Sequence, residues 1–128
     1  MSQSKSVVVM ITEGKSDNGK KASLAFSCAL SAISLGMDTT VFLTSDGAVW
    51  GYQGSGEGIK AQGFPPLDEL IREYQACDGN IMLCSTCHKT CGIGSPDNAP
   101  KNIILPGVEI AGFTTVLELA DGGNCFTF

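Results

Sequence analysis

Short runs of β-branched and other apolar residues alternate along this chain with longer stretches of helical spacing. The strand-like runs are residues 6–11, 39–44, 80–84, 108–112 and the terminal CFTF, and the helix-like stretches are residues 19–35 and 67–77. Runs this short with few polar positions are typical of buried strands. Strands separated by helices require crossover connections, which make neighbouring strands parallel. The pattern therefore predicts an α/β fold with a mostly parallel sheet of about five strands and helices on both faces.

Composition limits the classes of protein to which the chain can belong. Its 128 residues are 43% hydrophobic and 16% charged, which suits a single domain over residues 1–128 with a real core. The formal net charge of -5 argues against a nucleic-acid partner, because phosphate binding needs clustered positive charge. No apolar run is long enough to span a bilayer, and the first residues lack the pattern of a signal peptide. We therefore expect a cytoplasmic protein with no membrane partner.

Three of the six cysteines, Cys84, Cys87 and Cys91, fall within eight residues. In a reducing compartment such cysteines are more often catalytic or metal-binding than paired in structural disulfides. Cys84 ends the third predicted strand, at the edge of a parallel sheet where reactive sites lie. A helix beginning at Ser85 or Thr86 would direct backbone amides at the thiol and stabilise its thiolate. The spacing predicts Cys84 as a nucleophile.

The same cluster permits three other interpretations. Cys84, Cys87 and His88 match a haem-attachment pattern, but that chemistry normally needs export. Cys84, Cys87 and Cys91 have a spacing that binds zinc or an iron–sulfur cluster, although a structural zinc needs a fourth ligand. Cys84 and Cys87 also match a dithiol redox pair, as in thioredoxin-like sites.

Several further residues carry simpler predictions. The loop Gly14–Lys20 fits most of a phosphate-binding pattern, but Lys21 stands where Ser or Thr is needed, so we interpret it as a helix-capping turn. Thr115, with Glu118 three residues later, resembles a capping box that opens a helix. Isolated cysteines and large aromatic residues are usually packing residues. On this basis Cys28, Cys77 and Cys125 are predicted to be packing residues. Trp50 and Tyr52 are candidates to line a substrate mouth or a subunit interface, and we expect their burial at an interface.

An ordered set of features resembles the DsrE/DsrF-like family, which includes the TusD-type sulfur-relay subunits. The set comprises VFLTSDG (41–47), GFPPLDELI (63–71), the strand that ends at Cys84, VEIAG (108–112) and the terminal FTF. The resemblance implies a small α/β domain that self-associates, often as a trimer or hexamer. It also implies that Cys84 accepts sulfane sulfur from a donor protein as a persulfide and passes it to an acceptor protein. Cys87 is then a candidate second catalytic thiol, because a second thiol can discharge a persulfide by forming a disulfide. The sequence does not separate this sulfur transfer from dithiol redox chemistry, and we expect no cofactor.

Overall fold

The computed structural model describes residues 5–90 and 103–128. The strands are β1 Ser6–Ile11, β2 Asp38–Leu43, β3 Asn80–Cys84, β4 Val108–Ala111 and β5 Asn124–Thr127. The helices are α1 Lys20–Ser34, α2 Leu67–Ala76, α3 Ser85–Thr90 and α4 Phe113–Ala120. The strands form one sheet in the order β4-β3-β2-β1-β5, and every neighbouring pair is parallel. The predicted α/β fold with a five-stranded sheet is confirmed.

The three central strands are apolar because side chains on both faces of the sheet are covered. Val9 of β1 lies beside Val41 of β2, which in turn lies beside Ile81 of β3. All three are buried. A parallel sheet covered on both faces needs apolar residues at successive positions, which explains the near-continuous runs in the sequence.

Helices α1 and α2 pack together on one face of the sheet. The buried positions of α1 include Ala22, Ala25 and Ala29, whose small side chains let the helix approach the sheet closely. Phe26 contacts the ring of Tyr74 in α2 edge to face, with 5.6 Å between ring centroids. Gly36 follows the end of α1 with a φ of 81°, the left-handed conformation that commonly ends a helix.

Helix α4 covers the opposite face. Strands β1 to β4 are added successively toward one edge of the sheet, whereas β5 is added at the opposite edge, beside β1. Because crossover connections are right-handed, this reversal places α4 on the face opposite α1 and α2. Phe113 of α4 contacts Phe42, whose neighbours Val41 and Leu43 point to the α1 side. The prediction that Thr115 opens a helix is wrong: α4 begins at Phe113, with Gly112 before it and no side-chain cap.

The connection between β2 and α2 folds back onto the carboxyl end of the sheet. It begins with a 3₁₀ helix, Ser45–Gly51. The rings of Trp50, in this helix, and Tyr52, directly after it, are both buried within this one chain. Trp50 donates its indole N–H to the backbone oxygen of Glu13 at 3.0 Å. The expectation that Trp50 and Tyr52 need a subunit interface for burial is therefore wrong, because a chain segment of the same protomer covers them.

No helix within residues 5–90 and 103–128 has the length and apolar character required to cross a membrane.

Candidate functional site

Cys84 lies where the sequence placed it, as the last residue of β3 and immediately before α3. β3 is flanked by β2 and β4, so this residue is near the middle of the carboxyl edge of the sheet. Its side chain is only 2% exposed. This edge is where open parallel sheets normally hold their reactive groups.

Cys87 lies one helical turn further, and the structure brings its sulfur into the same buried cluster. Cys87 is 7% exposed, and its Sγ accepts the backbone N–H of Ser45 at 3.1 Å. The hydroxyl of Thr44 lies 3.7 Å from the same sulfur. Thr44 and Ser45 directly follow β2, the strand next to β3, so two neighbouring strand ends build the cluster.

The surroundings of Cys84 favour its thiolate. Burial by itself raises the pKa of the Cys84 thiol, but hydrogen bonds oppose this effect and bring the pKa below its ordinary value. The groups that lower the pKa are the backbone N–H of Cys87, the Thr44 hydroxyl, the Cys87 thiol and the backbone N–H of Thr86. A hydrogen bond to the charged form of a group always lowers the pKa of an acid. A thiol with a lowered pKa can act as a nucleophile at neutral pH.

Thr44 and Ser45 are functional candidates that the sequence analysis did not single out. Both belong to the VFLTSDG segment, which entered only as part of a family resemblance. Ser45 has a φ of 53°, a left-handed conformation that is uncommon outside glycine. The sequence does contain a signal for them. Residues that follow neighbouring parallel strands lie side by side, so Thr44 and Ser45, which follow β2, are expected near the residues that follow β3.

His88 stands in helix α3 with its side chain exposed. Its Nδ1 lies 2.6 Å from the hydroxyl of Tyr52, and the two rings stack with an interplanar angle of 22°. Tyr52 is therefore a buried partner of an exposed histidine next to the thiol cluster, a contact that its sequence neighbours do not indicate.

The remaining cysteines are arranged differently. Cys91 lies outside the described residues, so its predicted part in a three-cysteine cluster has no structural counterpart here. Cys28 is half-buried, and burial raises the pKa of its thiol. Cys77 and Cys125 are exposed, so the prediction that they are packing residues is wrong for this protomer. Cys77 lies at the solvated end of α2, and Cys125 lies on the edge strand β5.

No group of three histidine, cysteine or carboxylate side chains suited to a metal occurs in the part of the chain that the structure describes. The loop Gly14–Lys20 is a capping turn, as expected. Asp17 accepts the backbone N–H groups of Gly19 and Lys21, both at 3.0 Å. These amides, which begin α1, are therefore already engaged by a carboxylate of the loop itself.

Together the fold and this cluster define a class: a small, fully parallel α/β protein with two adjacent thiols at the carboxyl end of a central strand. The model of the DsrE/DsrF-like family matches residues 5–128, and this chain belongs to that family.

Two similar proteins can be named. An uncharacterized protein of Methanocaldococcus jannaschii is 32% identical over 107 residues, which cover 84% of this chain. The matched region is only 37% of that relative, so this chain spans little more than a third of its length. The crystal structure of the YchN protein from E. coli matches with a TM-score of 0.72 and 18% identity, covering 97% of this chain and 99% of that one. At this identity the second likeness concerns the fold.

Proposed function

We propose that this protein is a sulfur carrier that accepts sulfane sulfur as a persulfide on Cys84 and hands it to a partner protein. The observation that carries the proposal is the lowered pKa of the Cys84 thiol at the carboxyl end of β3. Sulfur transfer requires a thiolate nucleophile that is also a good leaving group, and a lowered pKa serves both purposes. Membership of a family that is generally associated with sulfur relay points in the same direction.

Loading and unloading are the same exchange run toward different partners. In loading, the Cys84 thiolate attacks the outer sulfur of a donor protein's persulfide, and the donor departs as a thiolate with the electron pair of its broken S–S bond. In unloading, the thiolate of an acceptor cysteine attacks the outer sulfur on Cys84. The Cys84–sulfur bond then breaks, and Cys84 departs as the thiolate that its hydrogen bonds stabilise.

We propose Cys87 as the thiol that limits the lifetime of the persulfide. The Cys87 thiolate can attack the inner sulfur of the loaded Cys84, forming a Cys84–Cys87 disulfide and releasing hydrosulfide. An external dithiol reductant then restores both thiols. The hydrogen bond between the two side chains supports this role, since it brings the sulfurs together. We also propose that the protein works in a reducing compartment such as the cytoplasm, where the Cys84 thiol stays reduced.

Burial of the two sulfurs sets a condition on the partners. With exposures of 2% and 7%, Cys84 and Cys87 are out of reach of a bulky reagent in the described conformation. A protein donor therefore needs a local opening of the structure, which costs less than global unfolding. Small polysulfides need a smaller opening, which makes them the better first probe.

Mass spectrometry after exposure to polysulfide tests the proposal. The wild-type protein should gain mass in steps of one sulfur atom, and peptide mapping should locate the first addition on Cys84. Cys84→Ser should abolish this addition and keep the fold, because serine is nearly isosteric with cysteine. Cys77→Ser is the matched control: it removes an exposed thiol and should leave the first addition unchanged. Loading of Cys84→Ser at the wild-type rate would contradict the carrier function.

The second candidate is a thiol-redox module that uses only the Cys84 and Cys87 pair, and the contact between the two sulfurs favours it. The same variants separate the two functions. In a sulfur carrier, Cys87→Ser should lengthen the lifetime of the persulfide on Cys84. In a redox module, Cys87→Ser should instead abolish turnover with disulfide substrates, and no sulfane sulfur should accumulate on the wild-type protein.

Metal binding by Cys84, Cys87 and Cys91 is tested by chelation. A structural zinc site contributes on the order of 10 kcal/mol in finger peptides, so its loss would lower the thermal transition strongly. For a sulfur carrier we expect the same thermal transition with and without chelator. Stoichiometric metal that resists dialysis would favour the metal-binding alternative.

We also propose that the protein self-associates as a trimer or hexamer. Phe113 and Leu117 of α4 support this, because their apolar side chains are 56% and 70% exposed in one protomer. Neither lies in the Cys84 cluster, so assembly through α4 leaves the thiols available to partner proteins.

A further inference from the structure

A buried tyrosine holds an exposed histidine directly beside the thiol cluster. The hydroxyl of Tyr52 lies 2.6 Å from Nδ1 of His88, and the ring centroids are 5.9 Å apart in a stacked arrangement. Tyr52 is 2% exposed, whereas His88 is exposed. Nδ1 of the imidazole therefore has a buried partner, and the other ring nitrogen, Nε2, lies on the side of the ring away from the Tyr52 hydroxyl.

The position of Tyr52 is set by backbone contacts on both sides of it. Tyr52 forms an antiparallel bridge with Ile104, and its carbonyl accepts the hydroxyl of Ser55 at 2.9 Å. The phenol is thus anchored independently of α3. His88 lies in α3 and is next to Cys87 in the sequence, and Cys84 directly precedes the first residue of that helix.

Which partner donates in this hydrogen bond depends on the tautomer of the imidazole. Burial raises the pKa of the Tyr52 phenol, and negative charge at Cys87 raises it further. The phenol therefore keeps its proton at neutral pH and can donate it to Nδ1 when that nitrogen carries no proton. A neutral imidazole that accepts at Nδ1 carries its own proton on Nε2.

We propose that Tyr52 is a positioning residue that holds His88 as an Nε2–H hydrogen-bond donor for the anionic sulfur group that enters or leaves the Cys84 site. The inference rests on the proposed sulfur-carrier function. During loading, the bond from Cys84 to the outer sulfur forms and the bond between that sulfur and the donor's sulfur breaks. The electron pair stays on the departing donor thiolate. The Nε2–H group stabilises the negative charge on sulfur by a hydrogen bond, and no proton moves to or from the imidazole.

The ring tautomer is measurable on the unloaded protein, independently of sulfur chemistry. His88 is the single histidine of the chain, so ¹⁵N chemical shifts of the imidazole report on it alone. In the wild-type protein we expect the neutral ring to be the Nε2–H tautomer. Tyr52→Phe keeps the stacked ring and removes the hydroxyl, so both tautomers should then appear.

Tyr74→Phe is the matched control for this measurement. It removes another buried phenol, one whose hydroxyl donates to the backbone oxygens of Thr39 and Asn80 and does not contact His88. The tautomer of His88 should be unchanged in this variant. An unchanged tautomer in a folded Tyr52→Phe protein would overturn the proposal and leave the sulfur-carrier function standing.

Loading by polysulfide tests the consequence for sulfur transfer. Tyr52→Phe and His88→Leu should each slow addition to Cys84 about tenfold, the size expected for one hydrogen bond to a charged group. His88→Gln should retain most of the rate, because its side-chain amide can present an N–H group near the position of Nε2. A wild-type rate in His88→Leu would overturn the role of His88. Wild-type loading of Cys84→Ser would instead overturn the carrier function itself, whatever the tautomer.

Discussion

Among the described residues, the groups that lower the pKa of the Cys84 thiol are two backbone amides, a hydroxyl and a second thiol. These groups come from α3 and from Thr44 at the end of β2. Neutral donors of this kind stabilise an anion without themselves requiring a counter-charge. The site can therefore release a thiolate and take up sulfur again with little change in its own charge distribution.

Thr44→Val should raise the pKa of the Cys84 thiol. Valine has nearly the shape of threonine but lacks the hydroxyl whose hydrogen bond lowers the pKa of Cys84. A hydrogen bond to a charged group is worth about 1.5–3 kcal/mol, so at neutral pH loading by polysulfide should slow by about tenfold or more. The measurement is the pH dependence of thiolate absorbance, together with the loading rate.

Thr40→Val is the control for this prediction. Thr40 is a buried threonine of β2, the strand that Thr44 directly follows, so its replacement makes the same change of side chain within the strand and away from the sulfur. The pKa of Cys84 should be unchanged in this variant. Equal shifts in the two variants would show that the Thr44 effect is a general loosening of β2.

Stability should depend on pH in opposite directions at two cysteines. The folded-state pKa of Cys84 lies below its ordinary value of 9.0, so its thiolate stabilises the folded protein above 9.0 and that contribution is lost as the pH falls through the folded pKa. The pKa of Cys28 is raised by burial, so its contribution is present below 9.0 and is lost as the pH rises.

Urea denaturation at several pH values checks this prediction through two serine variants. The difference in unfolding free energy between wild type and Cys84→Ser should grow in favour of wild type as the pH rises toward 9.0. For Cys28→Ser the difference should change in the opposite direction above 9.0. A difference for Cys84→Ser that does not vary with pH would argue against a stabilised thiolate in the folded state.

Among the elements, the 3₁₀ helix Ser45–Gly51 connects the core to the candidate site. It begins beside the thiol cluster with Ser45, and Tyr52, the partner of His88, directly follows it. Gly47 approaches the backbone of β1 so closely that an added Cβ would lie 2.2 Å from the oxygen of Ile11. Only a glycine at position 47 therefore lets the 3₁₀ helix pack this closely against β1.

Gly47→Ala should destabilise the protein and disturb the thiols together. The new methyl group must push the 3₁₀ helix away from a backbone that cannot yield, and overpacking of this kind costs about 1–3 kcal/mol. Denaturant unfolding measures the stability, and the thiolate titration of Cys84 reports on the site.

Gly112→Ala offers a matched glycine. At Gly112 an added Cβ meets only the hydroxyl oxygen of Ser85, at an ordinary distance of 3.8 Å, and its φ of -110° suits any residue. We expect little change in stability. If Gly47→Ala were tolerated equally well, the close approach of the 3₁₀ helix to β1 would not matter for the fold.

At the scale of the whole molecule, the two faces of the sheet are covered unequally. α1 and α2 bury their apolar residues on one face, whereas α4, with eight residues, keeps Phe113 and Leu117 exposed on the other. Exposed apolar side chains grouped on one helix mark interaction surfaces. The proposal of self-association therefore depends on the exposed apolar residues of α4. It does not depend on Trp50 and Tyr52, which are buried within one protomer.

Light scattering should show a trimer or a larger assembly at micromolar concentration. Leu117→Asp should shift the protein toward monomers without unfolding it, because the side chain is 70% exposed in one protomer and its replacement leaves the core intact. Leu35→Asp, at an equally exposed leucine just after α1, should leave the assembly intact. A monomer in the wild-type protein would reject self-association.

Most of the fold could be predicted from sequence because its determinants are local. A parallel strand covered on both faces is apolar at successive positions, and α1 and α2 carry the spacing of helices with one buried side. Prediction of a helix start failed where the same residues are compatible with two different starting positions. The pair Thr115 and Glu118 has the residues of a capping box, but the chain after β4 enters the helix two residues earlier, at Phe113.

By itself the sequence determined the parallel α/β architecture and the position of Cys84 at the end of β3, since apolar runs and strand ends are properties of consecutive residues. Only the tertiary structure decided which groups surround the sulfur. Thr44 and Ser45 are about forty residues from Cys87, and Tyr52 is thirty-six residues from His88, so nothing in their local sequence shows that they meet. They meet because strands β2 and β3 pair in register and bring their carboxyl ends together, while the glycine-containing 3₁₀ helix packs back against β1.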